Sequence, residues 1–235
     1  MSTSEPIFDG VERETGADPS WAVIWLHGLG ADGYDFESIV PELVRPRWPA
    51  LRFVFPHAPI QPVTINNGMR MRSWFDILGF DPGTPQDEVG IRASVVFVEK
   101  LIARENARGI PAGRIVLAGF SQGGAVVLNA GLRHAQALAG IVALSTYLPL
   151  AERLAAEASA ANRATSIFMA HGSQDPVIAL ARAQTSRDFL QQTGYAVQWH
   201  QYPMPHAVCA DEIGDLAAWF GQRFATAPPN PSHLS

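Results

Sequence analysis

The chain contains 235 residues, of which 47% are hydrophobic and 17% are charged. This balance excludes a chain that is disordered throughout and is typical of a globular protein with a sizeable core. The formal net charge of −5 and the lack of any Lys/Arg cluster give no basic surface for binding nucleic acid.

The amino-terminal residues favour a cytoplasmic protein. Residues 1–16 carry neither the basic region nor the apolar region of a secretory signal. No apolar run in the sequence reaches the length that spans a membrane, so we expect no membrane insertion. The single cysteine, Cys209, excludes an intrachain disulfide and fits a reducing compartment. The sequence does not decide between a monomer and a homodimer.

Short apolar runs alternate along the chain with longer segments that suit helices. The runs are typical of strands buried on both faces, and they occupy residues 21–26, 51–55, 114–120, 140–145, 166–170 and 196–202. The helical segments lie at 88–109, 123–132, 179–194 and 210–224. This alternation predicts an α/β protein with a mostly parallel central sheet and helices on both faces. We expect a single domain over residues 1–235.

Two segments depart from the alternation. Residues 56–87 are far longer than an ordinary connection, and their many apolar side chains must cover another part of the protein. Residues 226–235 are rich in proline and small polar residues, which predicts a flexible tail. We expect the first segment to be a functional insertion, while the tail contributes nothing to the domain.

Gly119-Phe120-Ser121-Gln122-Gly123 matches the G-x-S-x-G nucleophile elbow, a sharp turn that lifts a serine hydroxyl above a sheet. The pattern alone is weak, because glycine and serine are common in this chain. Its position is favourable, since a predicted strand leads into it and a helical segment follows. Both glycines also have a steric reason, because a side chain would collide within so tight a turn. Ser121 is therefore the predicted nucleophile, and an ordinary strand-to-helix turn is the alternative.

A serine hydroxyl becomes a nucleophile when a nearby base takes its proton, and a carboxylate must orient that base. In hydrolases with this elbow, the order along the chain is serine, acid and histidine. This order leaves five candidates for the base, namely His134, His171, His200, His206 and His233. His206 follows the last predicted strand, at the edge where catalytic groups gather in open α/β sheets. We therefore predict His206 as the general base.

Asp175 is the predicted acid, because it closely follows the strand at 166–170. Asp188 is a weaker candidate, since it lies within the helical pattern 179–194. His171 is nearer to Asp175 in sequence than His206 is, but the base must come from a different loop in order to lie between acid and serine. We expect a structural hydrogen-bonding role for His171.

Leu26-His27-Gly28-Leu29-Gly30, at the end of the first predicted strand, is similar to the glycine-rich oxyanion loop of esterases. One backbone N–H group of this loop and the N–H group of Gln122 can hold the charge that develops on a substrate carbonyl oxygen. Phosphate binding is the rival interpretation. The loop lacks both the G-x-G-x-x-G spacing and the lysine of phosphate-binding loops, which argues against a nucleotide site.

Taken together, these segments resemble the phospholipase/carboxylesterase family of α/β-hydrolases, which includes bacterial carboxylesterases and acyl-protein thioesterases. The resemblance covers residues 20–222. It rests on HGLG, FPHAPIQPVTINNGMRMRSWFDI, GFSQGG, HGSQDPVI and the late His206, which occur in the order of the family. It implies the α/β-hydrolase fold, with Ser121 as nucleophile, Asp175 as orienting acid and His206 as general base.

The same resemblance implies further site residues. Leu29 and Gln122 would supply the oxyanion N–H groups, and segment 56–87 would lie over the active site. The residues expected to border the acyl pocket are Met71, Trp74 and Phe75. Core packing explains the Trp74-Phe75 pair equally well, because aromatic side chains dominate buried area with or without a ligand.

These residues predict a serine carboxylesterase that hydrolyses short-to-medium acyl esters through an acyl-enzyme on Ser121. Its partner is a small-molecule ester or thioester, and the chemistry needs no metal or organic cofactor. Acyl-protein thioesterase and lysophospholipase activity stay open, because the family includes them. Two further alternatives are a serine peptidase with the same triad and a non-catalytic ligand-binding protein that keeps the fold.

Overall fold

The computed structural model describes residues 8–79 and 83–226. Its strands, β1–β9 in chain order, are Gly10–Glu14, Trp21–Leu26, Leu51–Pro56, Ile60–Val63, Met69–Arg72, Ile115–Phe120, Gly140–Leu144, Ile167–Gly172 and Val197–Tyr202. Its α-helices, α1–α6, are Val40–Leu43, Glu88–Ala107, Gln122–Arg133, Ala151–Glu157, Leu180–Gln192 and Ala210–Thr226. Among the described residues, seven strands form one sheet in the order β1-β3-β2-β6-β7-β8-β9, and β4 pairs with β5 in a separate hairpin.

The sheet is parallel except at one edge, where β1 runs antiparallel to β3. The six predicted strands are confirmed as β2, β3, β6, β7, β8 and β9. Strand β1 was not predicted, because its sequence GVERE is mostly charged. Those charges are paired in the fold, since Glu12 contacts Arg104 and Arg108, and Glu14 contacts Arg52. A charged edge strand therefore completes an otherwise apolar sheet.

Each face of the sheet carries its own core, because successive side chains of a strand point to opposite faces. On one face the strands pack against α2, α3 and α5 through residues such as Val98, Leu128 and Leu190. On the other face they pack against α1 and α6 through Leu43 and Phe220. The predicted layer of helices on both faces is confirmed. Across the described ranges, no helix combines the length and apolar character that crossing a bilayer requires.

The first of the two unusual segments contains more structure than the sequence predicted. Segment 56–87 includes the hairpin of β4 and β5, and residues 80–82 of it lie outside the described residues. The predicted tail at 226–235 also lies outside them, except for residue 226, which ends α6. The single-domain organisation of residues 1–235 stays a prediction.

The parallel strands place the candidate site at one edge of the sheet. Their carboxyl ends lie together at that edge, where groups on neighbouring loops can meet. Ser121 directly follows β6, Asp175 follows β8 and His206 follows β9. The fold therefore brings Ser121 and His206 into contact, although 85 positions separate them in the chain.

Candidate active site

Ser121 occupies the sharp turn between β6 and α3. Its backbone angles are φ 54° and ψ −119°, a sparsely populated combination that costs about 1–3 kcal/mol. Two hydrogen bonds hold this conformation. The N–H group of Ser121 donates to the carbonyl of Leu144 at 2.8 Å, and its carbonyl accepts from the Thr146 hydroxyl at 2.6 Å. The chain at and after the end of β7 therefore keeps the serine in its strained position.

The two glycines of the elbow have no room for side chains. A Cβ atom on Gly119 would lie 2.4 Å from the carbonyl carbon of Gly123, and one on Gly123 would lie 2.3 Å from the carbonyl oxygen of Leu26. Neither backbone atom can move without disturbing β2 or α3. The steric reason inferred from the sequence is therefore present in the fold.

The three predicted triad side chains form one hydrogen-bonded chain. His206 Nε2 lies 2.9 Å from Ser121 Oγ, and His206 Nδ1 lies 2.6 Å from Asp175 Oδ2. A carboxylate beside Nδ1 favours the tautomer with hydrogen on Nδ1, which leaves Nε2 free to accept a proton. The Asp175 side chain is fully buried, whereas 16% of the His206 side chain is exposed. The arrangement can therefore activate the Ser121 hydroxyl.

The loop after β8 fixes the carboxylate of Asp175. Asp175 Oδ1 accepts from the backbone N–H groups of Val177 at 2.8 Å and Ile178 at 2.9 Å. These bonds set the plane of the carboxylate and leave Oδ2 for His206. The ring of His206 also packs against Phe120, with 4.8 Å between ring centroids. Both predicted partners of the serine are therefore held in place by their surroundings.

The predicted oxyanion donors are backbone groups beside Ser121. Gln122 opens α3, where an N–H group of the first turn has no acceptor within the helix. The loop that carries Leu29 touches the elbow at Gly28, where a Cβ atom would lie 3.5 Å from Ser121 Cβ. The N–H group of Gly30 donates to the carbonyl of Arg72 at 2.8 Å, which ties this loop to segment 56–87. Leu29 and Gln122 stay the predicted donors.

His27 anchors the oxyanion loop as a neutral ring. Its Nδ1 donates to the carbonyl of Gly28 at 2.7 Å, and its Nε2 accepts from the N–H group of Ala58 at 3.0 Å. The tautomer with hydrogen on Nδ1 alone satisfies both contacts. Burial lowers the pKa of His27 to about 4, so the ring is uncharged at neutral pH. This role could not be predicted from the sequence, because only the partners of the ring reveal it.

The side chain of Gln122 joins the elbow to segment 56–87. Its Oε1 accepts from the N–H group of Trp74 at 2.8 Å, and its Nε2 donates to the carbonyl of Phe75 at 2.6 Å and to Ser73 Oγ at 3.0 Å. Gln122 is 3% exposed, so water cannot readily replace these bonds. The amide therefore holds the segment against the nucleophile, a role that the sequence pattern does not reveal.

We expect Gln122→Ala to weaken stability and substrate binding more than turnover. The variant keeps the backbone N–H group predicted to bind the oxyanion. It leaves the buried N–H of Trp74 without its partner, at a cost of about 1–3 kcal/mol, whereas the carbonyl of Phe75 still accepts from Ser73 Oγ at 2.6 Å. Melting temperature, kcat and KM with a p-nitrophenyl ester measure these effects. Gln192→Ala, at an exposed position that ends α5, is the matched control.

Loss of a side-chain oxyanion donor sets the scale for this test. Such a loss typically lowers kcat by about 10²–10³-fold, and we expect the kcat of Gln122→Ala to fall well short of that. A folded variant that lost the full amount with KM unchanged would identify the amide as a transition-state donor. The predicted backbone oxyanion hole would then be wrong.

The three residues expected to border the acyl pocket differ in burial. Trp74 and Phe75 are 2% and 3% exposed and belong to the core, and Trp74 Nε1 also donates to the carbonyl of His27 at 2.9 Å. Met71 is partly exposed, and a Cβ atom on Gly30 would lie 3.7 Å from its sulfur. Met71 thus lies beside the oxyanion loop, and contact between an acyl chain and any of the three stays a prediction.

Comparison with known proteins supports the resemblance found in the sequence. The sequence profile of the phospholipase/carboxylesterase family matches residues 13–221. The chain is 41% identical over 224 residues to acyl-protein thioesterase 1 of Mycosarcoma maydis, which covers 89% of this chain and 93% of the relative. It is also 41% identical over 210 residues to acyl-protein thioesterase 1 of Neurospora crassa, with 86% of each chain covered.

Solved structures show the same similarity. Arabidopsis thaliana SOBER1 superposes with a TM-score of 0.82 and 31% identity, covering 86% of this chain and 98% of its own. Zea mays acyl-protein thioesterase 2 superposes with a TM-score of 0.80 and 26% identity, covering 92% of this chain and 100% of its own. From its sequence and its fold, the chain belongs to the phospholipase/carboxylesterase family of α/β-hydrolases.

Proposed function

We propose that the protein is a serine carboxylesterase that hydrolyses short-to-medium acyl esters through an acyl-enzyme on Ser121. The chain is a serine hydrolase of the ester and thioester class. The observation that carries the proposal is the hydrogen-bonded chain from Ser121 to His206 and Asp175, with contacts of 2.9 and 2.6 Å. A protein that only bound an ester would have no use for this arrangement.

Acylation begins when Ser121 Oγ attacks the carbonyl carbon of the ester and His206 Nε2 takes the hydroxyl proton. Asp175 stabilises the imidazolium that forms. The N–H groups of Leu29 and Gln122 hold the negative charge on the carbonyl oxygen. His206 then gives its proton to the leaving oxygen as the bond from carbon to that oxygen breaks. The acyl group remains on Ser121.

Deacylation repeats these steps with water as the nucleophile. His206 accepts a proton from the water as it attacks the acyl-enzyme, and then returns a proton to Ser121 as the carboxylic acid leaves. These two reaction steps use side chains and backbone groups alone and call for no metal or organic cofactor. Within residues 8–79 and 83–226, no cluster of three or more histidine, cysteine or acidic side chains is arranged to hold a metal ion.

Thioester hydrolysis on acylated proteins is the second candidate function. It is favoured by the 41% identity to two proteins named acyl-protein thioesterase 1. The chemistry at Ser121 would be the same, with a cysteine thiol as the leaving group. The two candidates therefore differ in the leaving group and in the length of the acyl chain, and both can be measured directly.

A substrate panel separates these candidates. We expect kcat/KM for p-nitrophenyl butyrate and octanoate to exceed the value for the palmitate ester by about tenfold or more, since pocket fit contributes on this scale. The same assay with an S-palmitoyl peptide and with a lysophospholipid tests the alternatives. A higher kcat/KM for the S-palmitoyl peptide than for the butyrate ester would contradict the carboxylesterase proposal. Ser121→Ala supplies the background rate for every substrate.

A further inference from the structure

His171 lies on β8, directly behind the acid of the proposed triad. Its side chain is fully buried, with Nε2 2.9 Å from the carbonyl of Ile178 and 3.3 Å from Asp175 Oδ2. A carbonyl can only accept a hydrogen bond, so Nε2 carries the hydrogen. His171 Nδ1 is buried and has no hydrogen-bond partner among the described residues. The surroundings therefore select the tautomer of His171 with hydrogen on Nε2.

These contacts surround the side chain of Asp175. Asp175 Oδ1 accepts from the N–H group of Ile178 at 2.9 Å, and the carbonyl of the same Ile178 accepts from His171. His171 Nε2 also lies 3.3 Å from Asp175 Oδ2, the oxygen that accepts from His206. Trp199 on β9 packs nearly parallel to the His171 ring, at 13° and 6.5 Å between centroids. These contacts therefore limit movement of both the Asp175 carboxylate and the loop that carries it.

The neutral state of His171 suits this position. Burial lowers the pKa of His171, so the ring donates a hydrogen bond without carrying a charge. A positive charge there would compete with the imidazolium that forms on His206 during catalysis, because both rings face the same carboxylate oxygen. A neutral ring that donates to the carbonyl of Ile178 and lies against Asp175 leaves the charge of Asp175 available to His206.

We propose that His171 is a positioning residue, which keeps Asp175 Oδ2 directed at His206 Nδ1. This inference rests on the proposed triad and assigns a purpose to the hydrogen-bonding role that the sequence predicted for His171. The ring reaches neither the substrate nor the reacting atoms, so it acts through Asp175. Placement matters at this site, because a shift of about 1 Å in a catalytic group can lower turnover by about 10²-fold.

Two substitutions of His171 test the proposal. His171→Phe keeps a planar ring but removes the donor, and we expect kcat to fall by about 10- to 100-fold with KM within about twofold of the wild type. The low-field proton resonance of the His206–Asp175 hydrogen bond should shift or broaden. His171→Gln keeps an N–H donor and should recover most of the kcat and the resonance. His134→Phe is the control, because His134 is a buried histidine that contacts Glu99 and lies outside the site.

The outcomes distinguish a role of His171 in positioning Asp175 from a role in the stability of the fold alone. A folded His171→Phe with wild-type kcat and an unchanged resonance would overturn the proposal, whatever its melting temperature. If that variant does not fold, the nitrogen spectrum of the wild type decides, since hydrogen on Nδ1 of His171 contradicts the proposal and hydrogen on Nε2 supports it. Hydrolysis by Ser121→Ala would instead refute the proposed function without altering the His206–Asp175 resonance. The two proposals therefore fail in different measurements.

Discussion

Ser121→Ala is expected to lower kcat for p-nitrophenyl butyrate by about 10⁶-fold, the scale on which loss of a triad serine acts. The variant removes the oxygen that lies 2.9 Å from His206 Nε2, so no acyl-enzyme can form. Substrate binding and the oxyanion donors remain. A fluorophosphonate, which reacts fastest with a hydroxyl activated by a base, should label Ser121 in the wild type and leave the variant unlabelled. Mass mapping of the labelled peptide locates the reactive residue.

Ser173→Ala is the matched control for this experiment. Ser173 is an exposed serine in the loop that carries Asp175, and among the described residues it forms no side-chain hydrogen bond with His206. We expect Ser173→Ala to keep wild-type kcat and full labelling of Ser121. Label on a serine other than Ser121, or unimpaired hydrolysis by a folded Ser121→Ala, would remove the basis of the proposed function.

His206→Ala is expected to lose several orders of magnitude in kcat, up to about 10⁶-fold, because triad members act as a unit. Without the ring, the Ser121 hydroxyl keeps its proton and Asp175 has nothing to orient. Labelling by the fluorophosphonate should slow in parallel, although Ser121 is intact. Measuring both quantities separates a missing base from a damaged substrate pocket, which would lower kcat/KM without removing reactivity.

His200→Ala provides the comparison for the base. His200 also lies downstream of Ser121, but its ring contacts Gln198 and Asp215 on the side of β9 and α6. We expect its kcat to stay within about twofold of the wild type. Equal catalytic losses in folded His200→Ala and His206→Ala would leave the base assignment without support, and melting curves establish that both variants fold.

The central strands could be predicted because both of their faces are buried. Strand β2, for example, reads as the continuous apolar run WAVIWL, and all six of its residues are buried. Strand β1 lacks such a run because most of its residues are charged. Its glutamates are satisfied by partners on β3 and α2 that only the fold brings near. The hairpin of β4 and β5 was missed for a related reason. It is partly exposed and contains Pro62, which weakens a strand pattern.

The candidate triad could be predicted because its members follow the order serine, acid and histidine along the chain, and because each lies just after the end of a strand. The supporting contacts could not, because a hydrogen bond depends on direction and the sequence does not show where a buried group points. The amide of Gln122, the hydroxyl of Thr146 and the ring of His27 all hold the site through partners distant in the chain. The elbow pattern predicted a sharp turn at Ser121, where φ is 54°, whereas no pattern in the sequence indicates the positive φ of 46° at Ser145.

The order of strands in the sheet also bears on how the chain folds. Within the sheet, β2 lies between β3 and β6, so that Ala22 faces Arg52 on one side and Ile115 on the other. The pairing of β2 with β6 joins distant parts of the chain. The entropy cost of closing this long loop must be overcome before the hydrogen bonds between the two strands can stabilise the fold. We expect slow folding compared with a helical bundle. During synthesis, a nascent chain that ends before β6 exposes the apolar edge of β2 and is at its most aggregation-prone.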